Sequence, residues 1–223
     1  MRARGGGELA SLTLGRAREF VASAARLVVL ARPARPAGQP PGTVGAHAHP
    51  SGSLELRLAA PADGASYARD IGTDSPLSFG RRLSPATGCF LVLDGGRIVH
   101  ATWITRSAVW TRELRRYVAP PPGDAYVYES FTHADARGRG LYPCALRALC
   151  AQLATQEVRT VWVAVESDNL PSLRAVTKAG FEEAAQIPYR RTLGRVLVNP
   201  SERPPGDAGD GSLRLARSLE DLA

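Results

Sequence analysis

Short runs of β-branched, leucine and aromatic residues recur along the chain from residue 89 onward. They cover residues 89–93, 98–104, 125–132 and 158–165. Between the last two runs, apolar residues fall at i, i+3, i+4 and i+7, the spacing of one helix face. These are Leu146, Leu149, Cys150 and Leu153. We therefore predict a strand, a crossover helix over residues 144–156 and a second strand, which form a right-handed parallel unit.

Turn chemistry and alternation predict further elements around this unit. The Asp-Gly pair at residues 94–95 separates two apolar runs and is typical of a tight β-hairpin, because both residue types tolerate positive φ. Residues 54–58 alternate apolar and charged positions as a strand does, and residues 187–198 can form a last strand pair. Residues 65–71 suggest a weak helix, while residues 107–117 are compatible with a short helix or an extended excursion.

The two ends of the chain give weaker patterns. Residues 8–30 place apolar residues among arginines and are compatible with a helix, an organelle transit peptide or a membrane-surface helix. Residues 32–53 have the Pro, Gly and Ala content of a linker. We predict one domain with flexible ends: an extension and linker at residues 1–52, the domain at 53–199, and a disordered tail at 200–223, within which a marginal helix is the alternative.

The net charge of +7 is unevenly distributed along the chain. Residues 1–52 hold seven arginines against two glutamates, so much of the excess lies outside the predicted domain. The basic residues are almost all arginine, a compositional bias that argues less for a selected binding face. We expect no nucleic-acid partner, and deletion of residues 1–52 would test for salt-dependent binding there.

The cysteines and histidines exclude some classes of site. Cys89, Cys144 and Cys150 are an odd set and do not form a disulfide framework, which favours a reducing, cytoplasmic location. Cys144 or Cys150 could carry an acyl group, but Cys150 lies on the apolar helix face and fits a core residue better. His47 and His49 lack a third ligand, so we expect no metal. No run approaches the ~20 apolar residues of a membrane span.

The most informative chemistry lies between the strand at residues 125–132 and the helix that follows it. The chain there is Arg-Gly-Arg-Gly-Leu-Tyr-Pro, residues 137–143. A strand that passes through two glycines into a helix leaves backbone N–H groups unpaired, and the helix dipole adds positive charge beside them. The loop is therefore predicted to bind an anion, and Arg137 and Arg139 add two guanidinium groups.

A second block follows at residues 158–181. It contains a buried-looking strand, the run Glu-Ser-Asp-Asn-Leu-Pro-Ser at residues 166–172, a helix, and a closing Gly-Phe pair. Together the two blocks resemble the GNAT superfamily of acyl-CoA-dependent N-acyltransferases, over about residues 88–198. Because the same type of loop and the same downstream asparagine occur in that family, the resemblance implies a GNAT-like α/β fold, with a mixed, partly parallel central sheet flanked by helices.

The resemblance assigns individual residues. Arg137 and Gly140 match the first and fourth positions of the family's Arg/Gln-x-x-Gly-x-Gly/Ala loop, Asn169 matches its asparagine, and Gly180 with Phe181 matches its closing pair. It implies that the loop binds the pyrophosphate of acetyl-CoA and that pantetheine pairs with the preceding strand, where a backbone N–H polarises the thioester carbonyl. The implied cofactor-binding residues are Phe131, Thr132, Arg137, Gly138, Arg139, Gly140, Leu141, Tyr142, Asn169 and Ser172.

The same resemblance places a general base on the strand before the loop. Glu129 lies at about the position of the family's base glutamate, and strand alternation puts it on the same face as Phe131. His133, Tyr126 and Tyr128 are neighbours that could act instead.

Two positions depart from the family pattern. Tyr142 replaces a Gly or Ala, so either the cofactor lies further out or the ring points away and lines the acceptor side. Val176 replaces the tyrosine that protonates the departing thiolate in many relatives, and Ser172 or another tyrosine could substitute. Because a CoA thiolate is a good leaving group, this departure does not exclude activity.

The sequence therefore predicts an N-acetyltransferase that moves an acetyl or other acyl group from acetyl-CoA to a primary amine by direct attack on the thioester. The acceptor is expected to be a small molecule such as an amino sugar, an amino acid or a polyamine. A catalytically silent acyl-CoA-binding module is the alternative, favoured by Val176 and by the short acceptor region. Neither the acceptor nor the oligomeric state is indicated by the sequence.

Overall fold

A computed structural model describes residues 23–35, 54–192, 195–198 and 212–222. Within them, a large sheet carries a small second sheet and four α-helices. In chain order the elements are β1 (Ser23–Pro33), β2 (Leu54–Leu58), α1 (Gly64–Asp70), α2 (Pro76–Arg82), β3 (Thr87–Asp94), β4 (Arg97–Thr105), β5 (Val109–Thr111), β6 (Arg116–Ala119), β7 (Ala125–Thr132), α3 (Leu141–Ala154), β8 (Thr160–Glu166), α4 (Leu170–Lys178), β9 (Glu182–Thr192), β10 (Arg195–Val198) and β11 (Arg214–Ala216).

The large sheet has the strand order β10-β9-β1-β8-β7-β4-β3-β2. In the described part of the chain, β7 and β8 are its parallel pair, joined through α3, and the other neighbours are antiparallel. This confirms the predicted fold class, a mixed and partly parallel sheet flanked by helices. The hairpin at residues 94–95 is also confirmed, with Gly95 and Gly96 at φ +58° and +81°.

β1 lies where a helix was expected. The helix predicted over residues 8–30 is wrong from Ser23 onward, and the linker predicted over residues 32–53 begins inside the strand. β1 pairs with both β8 and β9, so the sheet includes residues on the N-terminal side of the predicted domain boundary. The rest of both stretches, residues 1–22 and 36–53, lies outside the described residues.

The burial of β1 explains this error. Val28 and Leu30 face the core beneath α3, whereas Leu27 and Val29 face the core on the opposite side of the sheet. A strand that is buried on both faces has a continuous apolar run, which periodicity alone does not distinguish from a buried helix.

The C-terminal tail is also partly ordered. The disorder predicted for residues 200–223, and the alternative helix, are wrong for Arg214–Ala216, which form β11 and pair with β6. A three-residue strand owes its stability to its partner, so local sequence gives little sign of it. Residues 107–117 prove extended, since they contain β5 and lead into β6.

The two faces of the large sheet are covered differently. α3 and α4 pack on one face, around Leu146, Leu149 and Phe181. On the opposite face, α1 and α2 pack on β3 and β4 around Phe79 and Trp103. The small sheet β5-β6-β11 covers a separate part of that face, formed by β1, β8 and β9. A gap therefore remains over β7, between the α1–α2 pair and the small sheet.

Candidate active site

β7 and β8 pair only at their first residues. The parallel ladder joins Ala125 to Val161, Tyr126 to Trp162 and Val127 to Val163. Within the described residues no further pairs join these two strands, although β7 continues to Thr132 and β8 to Glu166. The sheet therefore has an opening at the carboxyl ends of its two parallel strands, where ligands of parallel α/β units bind.

A β-bulge in β7 lies beside this opening. Across β4, Tyr128 is opposite Trp103 and Ser130 is opposite Thr102, so Glu129 is an extra residue in the ladder. Glu129 has a φ of +46°, a left-handed conformation that is uncommon outside glycine. The bulge turns the chain at this point, so the direction of the Glu129 side chain no longer follows the regular alternation along the strand.

The ladder also determines which backbone groups face the opening. His133 donates its N–H to the carbonyl of Val99 at 2.9 Å. Because backbone groups alternate in direction along an antiparallel strand, those of Phe131 face β4, and those of Ser130 and Thr132 face the opening. The N–H groups that could meet a ligand there belong to Ser130 and Thr132, and the N–H of Phe131 is not among them.

The glycine loop has the backbone that its sequence predicts. Gly138 and Gly140 have φ values of +77° and +73°, which favour glycine, and a Cβ at either position would meet nothing within 4 Å. Gly140 is the residue before α3, and no side chain caps that helix in the described part of the chain. Pro143 in the first turn has no N–H and Cys144 donates to the carbonyl of Gly140, so the N–H groups available to an anion at the helix start are those of Leu141 and Tyr142, and the loop fits a pyrophosphate.

The two loop arginines differ in the charge they can offer. Arg139 forms an ion pair with Asp94 at 2.8 Å, so its charge is partly neutralised. Arg137 donates from Nε to the carbonyl of Thr132 at 3.2 Å, a neutral partner. Leu141 is buried in the core and can contribute only its backbone. Arg137 is therefore the better of the two cations for binding an anion.

A cavity of about 570 Å³ passes through the opening. Consecutive residues of β8 line it, and because their side chains alternate between the two faces, the cavity spans the sheet. The predicted site residues that line it are Glu129, Phe131, Tyr142, Asn169 and Ser172. The loop residues 137–141 adjoin it through Tyr142, and Thr132 lies outside its lining.

Asn169 has a structural role in addition to its position in the cavity wall. It precedes α4, and its Oδ1 accepts a hydrogen bond from the N–H of Ser172 at 3.2 Å. This is the arrangement of an N-cap residue. The cap fixes the side chain at the cavity, so its amide NH₂ group is held near any ligand in the opening.

On the opposite side of the sheet, Arg82 organises the cavity wall. Its guanidinium lies 3.8 Å from the centre of the Trp103 ring and forms ion pairs with Asp74 and Glu129, both at 2.6 Å. Through Arg82, the Glu129 side chain therefore reaches the hydrophobic cluster around Trp103 against which Phe131 also packs. Strand alternation was the reason to expect Glu129 and Phe131 on one face, but the bulge interrupts that alternation. With about half of its side chain exposed, Glu129 presents a carboxylate to the cavity.

The alternative bases fit less well. His133 is paired with Asp135 at 2.6 Å and lies outside the cavity lining. Tyr126 and Tyr128 line the cavity, but burial raises the pKa of both hydroxyls, so they keep their protons at neutral pH. Glu129 remains the better candidate for a base.

Two further carboxylates in the cavity were not among the predicted site residues. Glu166 ends β8 and accepts hydrogen bonds from the Tyr189 hydroxyl and, at 2.7 Å, from Arg191. Glu113 lies between β5 and β6. Four carboxylates in the described lining, Asp74, Glu113, Glu129 and Glu166, outnumber the guanidiniums of Arg82, of Arg112 and of Arg191, which lies outside the lining but pairs with Glu166. The excess of negative charge favours a cationic ligand on this side.

Other candidate groups are inside the core. Val176 is fully buried and offers no proton donor. All three cysteines are buried free thiols, and burial raises the pKa of Cys150 to about 12, which makes it a poor nucleophile. No group of three or more His, Cys, Asp or Glu residues in the described ranges could hold a metal, and none of the described helices is long and apolar enough to cross a membrane.

A sheet opened between two parallel strands, with a glycine loop and a helix start at that edge, is an α/β architecture that can hold an extended phosphorylated ligand. The model of the acetyltransferase (GNAT) family matches residues 60–181, and the chain belongs to that family. The resemblance seen in the sequence is thus confirmed. A search of curated proteins found no match.

Solved structures of the same fold show low sequence identity. A GCN5-related N-acetyltransferase from Sphaerobacter thermophilus is 14% identical, with a TM-score of 0.54 over 95% of this chain and 61% of that one. A functionally unknown conserved protein from Staphylococcus epidermidis is 8% identical, with a TM-score of 0.50 over 80% and 65%. An aminoglycoside acetyltransferase from an uncultured soil metagenomic sample is 12% identical, with a TM-score of 0.46 over 57% and 87%. The first two show a likeness of fold, and this chain spans less than two thirds of their length.

Proposed function

We propose that the protein is an N-acetyltransferase that moves an acetyl group from acetyl-CoA to the primary amine of a small cationic acceptor. The observation that carries this proposal is the opening between β7 and β8, which has the glycine loop on one side and a group of carboxylates on the other. The donor would enter from the side of α3 and α4, and the acceptor from the side of α1 and α2. The three free, buried cysteines are compatible with a cytoplasmic location.

The donor side supplies binding and polarisation. The N–H groups of Leu141 and Tyr142 at the start of α3 and the guanidinium of Arg137 bind the pyrophosphate. The N–H groups of Ser130 and Thr132 face the opening, where they bind the pantetheine and the carbonyl oxygen of the thioester. Asn169 holds the end of the pantetheine from the other wall. When bound, acetyl-CoA supplies the activated acetyl group.

The acceptor side supplies the base. Glu129 takes a proton from the acceptor ammonium, and the free amine then attacks the thioester carbon directly. In the structure the carboxylate is paired with Arg82, so an incoming ammonium must replace that partner. The stacking of Arg82 on Trp103 and its second ion pair with Asp74 would hold the arginine in place after Glu129 is released.

A catalytically silent acyl-CoA-binding module is the second candidate. It is favoured by the burial of Val176 and by the ion pair that occupies Glu129. The two candidates share the donor site and differ in turnover. Release of free CoA thiol with a panel of amines separates them, because donor binding without thiol release for any amine supports the silent module.

Thermal unfolding with and without acetyl-CoA tests the donor site. A ligand at ~100 times its dissociation constant adds about 2.7 kcal/mol, which raises the Tm of a chain of this size by roughly 5–10 °C. Arg137→Glu should abolish most of this rise, because it replaces a cation at the loop by an anion. Arg190→Glu, an exposed arginine on β9 away from the cavity, is the matched control and should keep the rise. Absence of a rise in the folded wild-type protein would rule out the proposed function.

A further inference from the structure

The segment of β7 beyond the bulge has a strand neighbour on one side only. The described ladder between β7 and β8 ends at Val127, so residues 130–132 pair with β4 alone. In this segment Phe131 forms a hydrogen-bonded pair with β4, and the pairs on either side of it have no backbone hydrogen bonds between the two strands. These flanking pairs are Ser130 with Thr102 and Thr132 with His100. They contain the two residues whose N–H groups face the opening.

Side chains make the connections that the backbone lacks at these two pairs. His100 is fully buried, and its Nδ1 lies 2.8 Å from Oγ1 of Thr132. Its Nε2 lies 2.8 Å from Oγ1 of Thr102, which in turn donates to Oγ of Ser130 at 3.0 Å. The four side chains, which we call the His100 row, therefore connect β4 to both of the β7 residues that face the opening.

The directions of the hydrogen bonds in the His100 row follow from one another. Burial lowers the pKa of His100 to about 3, so the ring is neutral at physiological pH and has one N–H. Because the single hydroxyl hydrogen of Thr102 goes to Ser130, Thr102 must accept from Nε2–H of His100. Nδ1 then accepts from the hydroxyl of Thr132. Both ring nitrogens are thus used, so an apolar residue could not replace the imidazole in this row.

The Tyr142 ring covers the His100 row on the side of α3. The ring packs on the His100 imidazole with centroids 5.2 Å apart and planes at 34°, and it also contacts the core beneath α3. It therefore points inward beneath the loop, toward the core on this side of the sheet. An aromatic ring at this place limits the access of water to the row, and hydrogen bonds in a medium of low dielectric constant are stronger than those in water.

We propose that His100 is a positioning residue for acyl transfer, which holds the β7 segment so that the N–H groups of Ser130 and Thr132 point at the thioester carbonyl. This inference rests on the proposed function. Donors that stabilise developing charge must be aimed at the oxygen before the reaction, and a misplacement of about 1 Å can lower the rate about 10²-fold. A segment that follows a bulge and lacks a second strand neighbour is free to shift by such amounts, and the His100 row removes this freedom.

The infrared band of the bound thioester carbonyl tests the proposal without turnover or a known acceptor. Acetyl-CoA is isotope-labelled at this carbonyl and added at a saturating concentration, and the spectrum of the unlabelled complex is subtracted. Because hydrogen bonds to the oxygen lower the stretching frequency of the carbonyl, we expect the wild-type band below its position for acetyl-CoA in water. His100→Phe keeps a ring in the core but bonds to neither threonine, so it should lose most of this shift.

Three more variants make this test specific. His100→Gln supplies one acceptor and one donor in a single amide, so it should keep most of the shift. Thr132→Val removes the hydroxyl that donates to His100 but keeps the backbone N–H, and it should lose part of the shift. Thr105→Val is the matched control, because it removes a buried hydroxyl of the same strand that lies 3.0 Å from Thr87 Oγ1 and outside the cavity lining. It should keep the wild-type band position although it is less stable.

The possible failures of this test are distinguishable. A wild-type band position in His100→Phe, or in Thr132→Val if the first variant does not fold, would overturn the inference and leave the proposed function standing. An equal loss of the shift in Thr105→Val would also overturn it, because a general loss of stability would then be the cause. Failure of the wild type to bind acetyl-CoA would overturn both.

Discussion

The two faces of the opened sheet are assembled in different ways. The donor face is made by β7, the glycine loop, α3, β8 and α4, which follow one another along the chain. The proposed acceptor face collects α1, α2 and the β5–β6 hairpin from separate segments. β9 supports it through the hydrogen bonds of Tyr189 and Arg191 to Glu166, and β11 supports it by pairing with β6. One face is thus a local motif, and the other is a product of long-range folding.

The two faces also differ in how far their binding groups are specific to this protein. The face proposed for the donor holds groups that suit the anionic part of any acyl-CoA, chiefly backbone N–H groups at a helix start. The acceptor face holds side chains of ordinary types, such as Arg82 and Glu166, and their role depends on where the fold places them. We therefore expect substitutions on the two faces to alter different measured quantities.

The largest effect is expected in β1, which both faces share. Leu30→Asp places a carboxylate in the core beneath α3, where Leu30 is 3% exposed, and should lower the free energy of unfolding by more than about 4 kcal/mol. Urea denaturation followed by circular dichroism measures it. Arg26→Asp, an exposed position of the same strand, is the control. A stable Leu30→Asp protein would show that β1 is not part of the core.

Glu129→Gln should impair the function of the acceptor face and leave that of the donor face unchanged in the same protein. Loss of a general base should lower kcat about 10²-fold for an active acceptor, while the rise in Tm with acetyl-CoA stays as in the wild type. Steady-state kinetics and thermal unfolding give the two values. Glu55→Gln, an exposed carboxylate on β2, should change neither. An unaltered kcat for Glu129→Gln would remove Glu129 from the mechanism.

His100 should make the fold sensitive to acid. Its pKa is about 3 in the folded protein against an ordinary 6.5, so below pH 6.5 the unfolded chain takes up a proton that the folded protein does not. The stabilisation is therefore complete above pH 6.5 and decreases as the pH falls towards 3, by about 1.4 kcal/mol per pH unit. The free energy of unfolding at pH 6.5 and 5 should differ by roughly 2 kcal/mol from this source.

The variant that tests this origin is His100→Phe, which keeps a ring in the core and has no titrating group. It should be less stable than the wild type near neutral pH, because Thr102 and Thr132 lose a partner. Its stability should nevertheless fall less steeply between pH 6.5 and 5 than that of the wild type. Parallel slopes for the two proteins would assign the acid sensitivity to other groups.

The smallest effect is expected at Trp110, an aromatic side chain that lines the acceptor side and is 46% exposed. An exposed cation–π contact contributes about 0.5–1 kcal/mol, so Trp110→Ala should raise KM for a cationic acceptor about two- to fivefold. The affinity for acetyl-CoA should not change. Leu219→Ala, another exposed apolar side chain, serves as the control because it lies outside the cavity lining. An equal loss of acetyl-CoA affinity would contradict the division between the faces.

The sequence marks the loop and the helix cap of the proposed donor face because their geometry requires particular residue types. Gly138 and Gly140 adopt positive φ, and Asn169 caps a helix, so each carries a local constraint that is visible without the fold. The acceptor face imposes no such constraint. The pairing of Arg82 with Glu129, and the approach of Glu113 to the cavity, depend on contacts between distant segments.

The two wrong predictions, those for the segments that form β1 and β11, have the same cause. β1 and β11 are strands because of their partners, β8 and β9 in one case and β6 in the other. The apolar run of β1 fits a buried helix equally well when those partners are unknown. The bulge at Glu129 was missed for a similar reason, since it exists only relative to the register of β4.

The position of β1 has a consequence for how the chain folds. The first described strand to leave the ribosome pairs with β8 and β9, which lie far along the chain, so the centre of the sheet cannot close until β9 has been synthesised. Such long-range pairing slows folding, and until it forms the apolar surfaces of β1 and the edges of β8 and β9 are exposed to other chains. A shortened polypeptide covering only residues 60–181 would lack β1 and β9 and leave β8 as an unpaired edge, prone to aggregation.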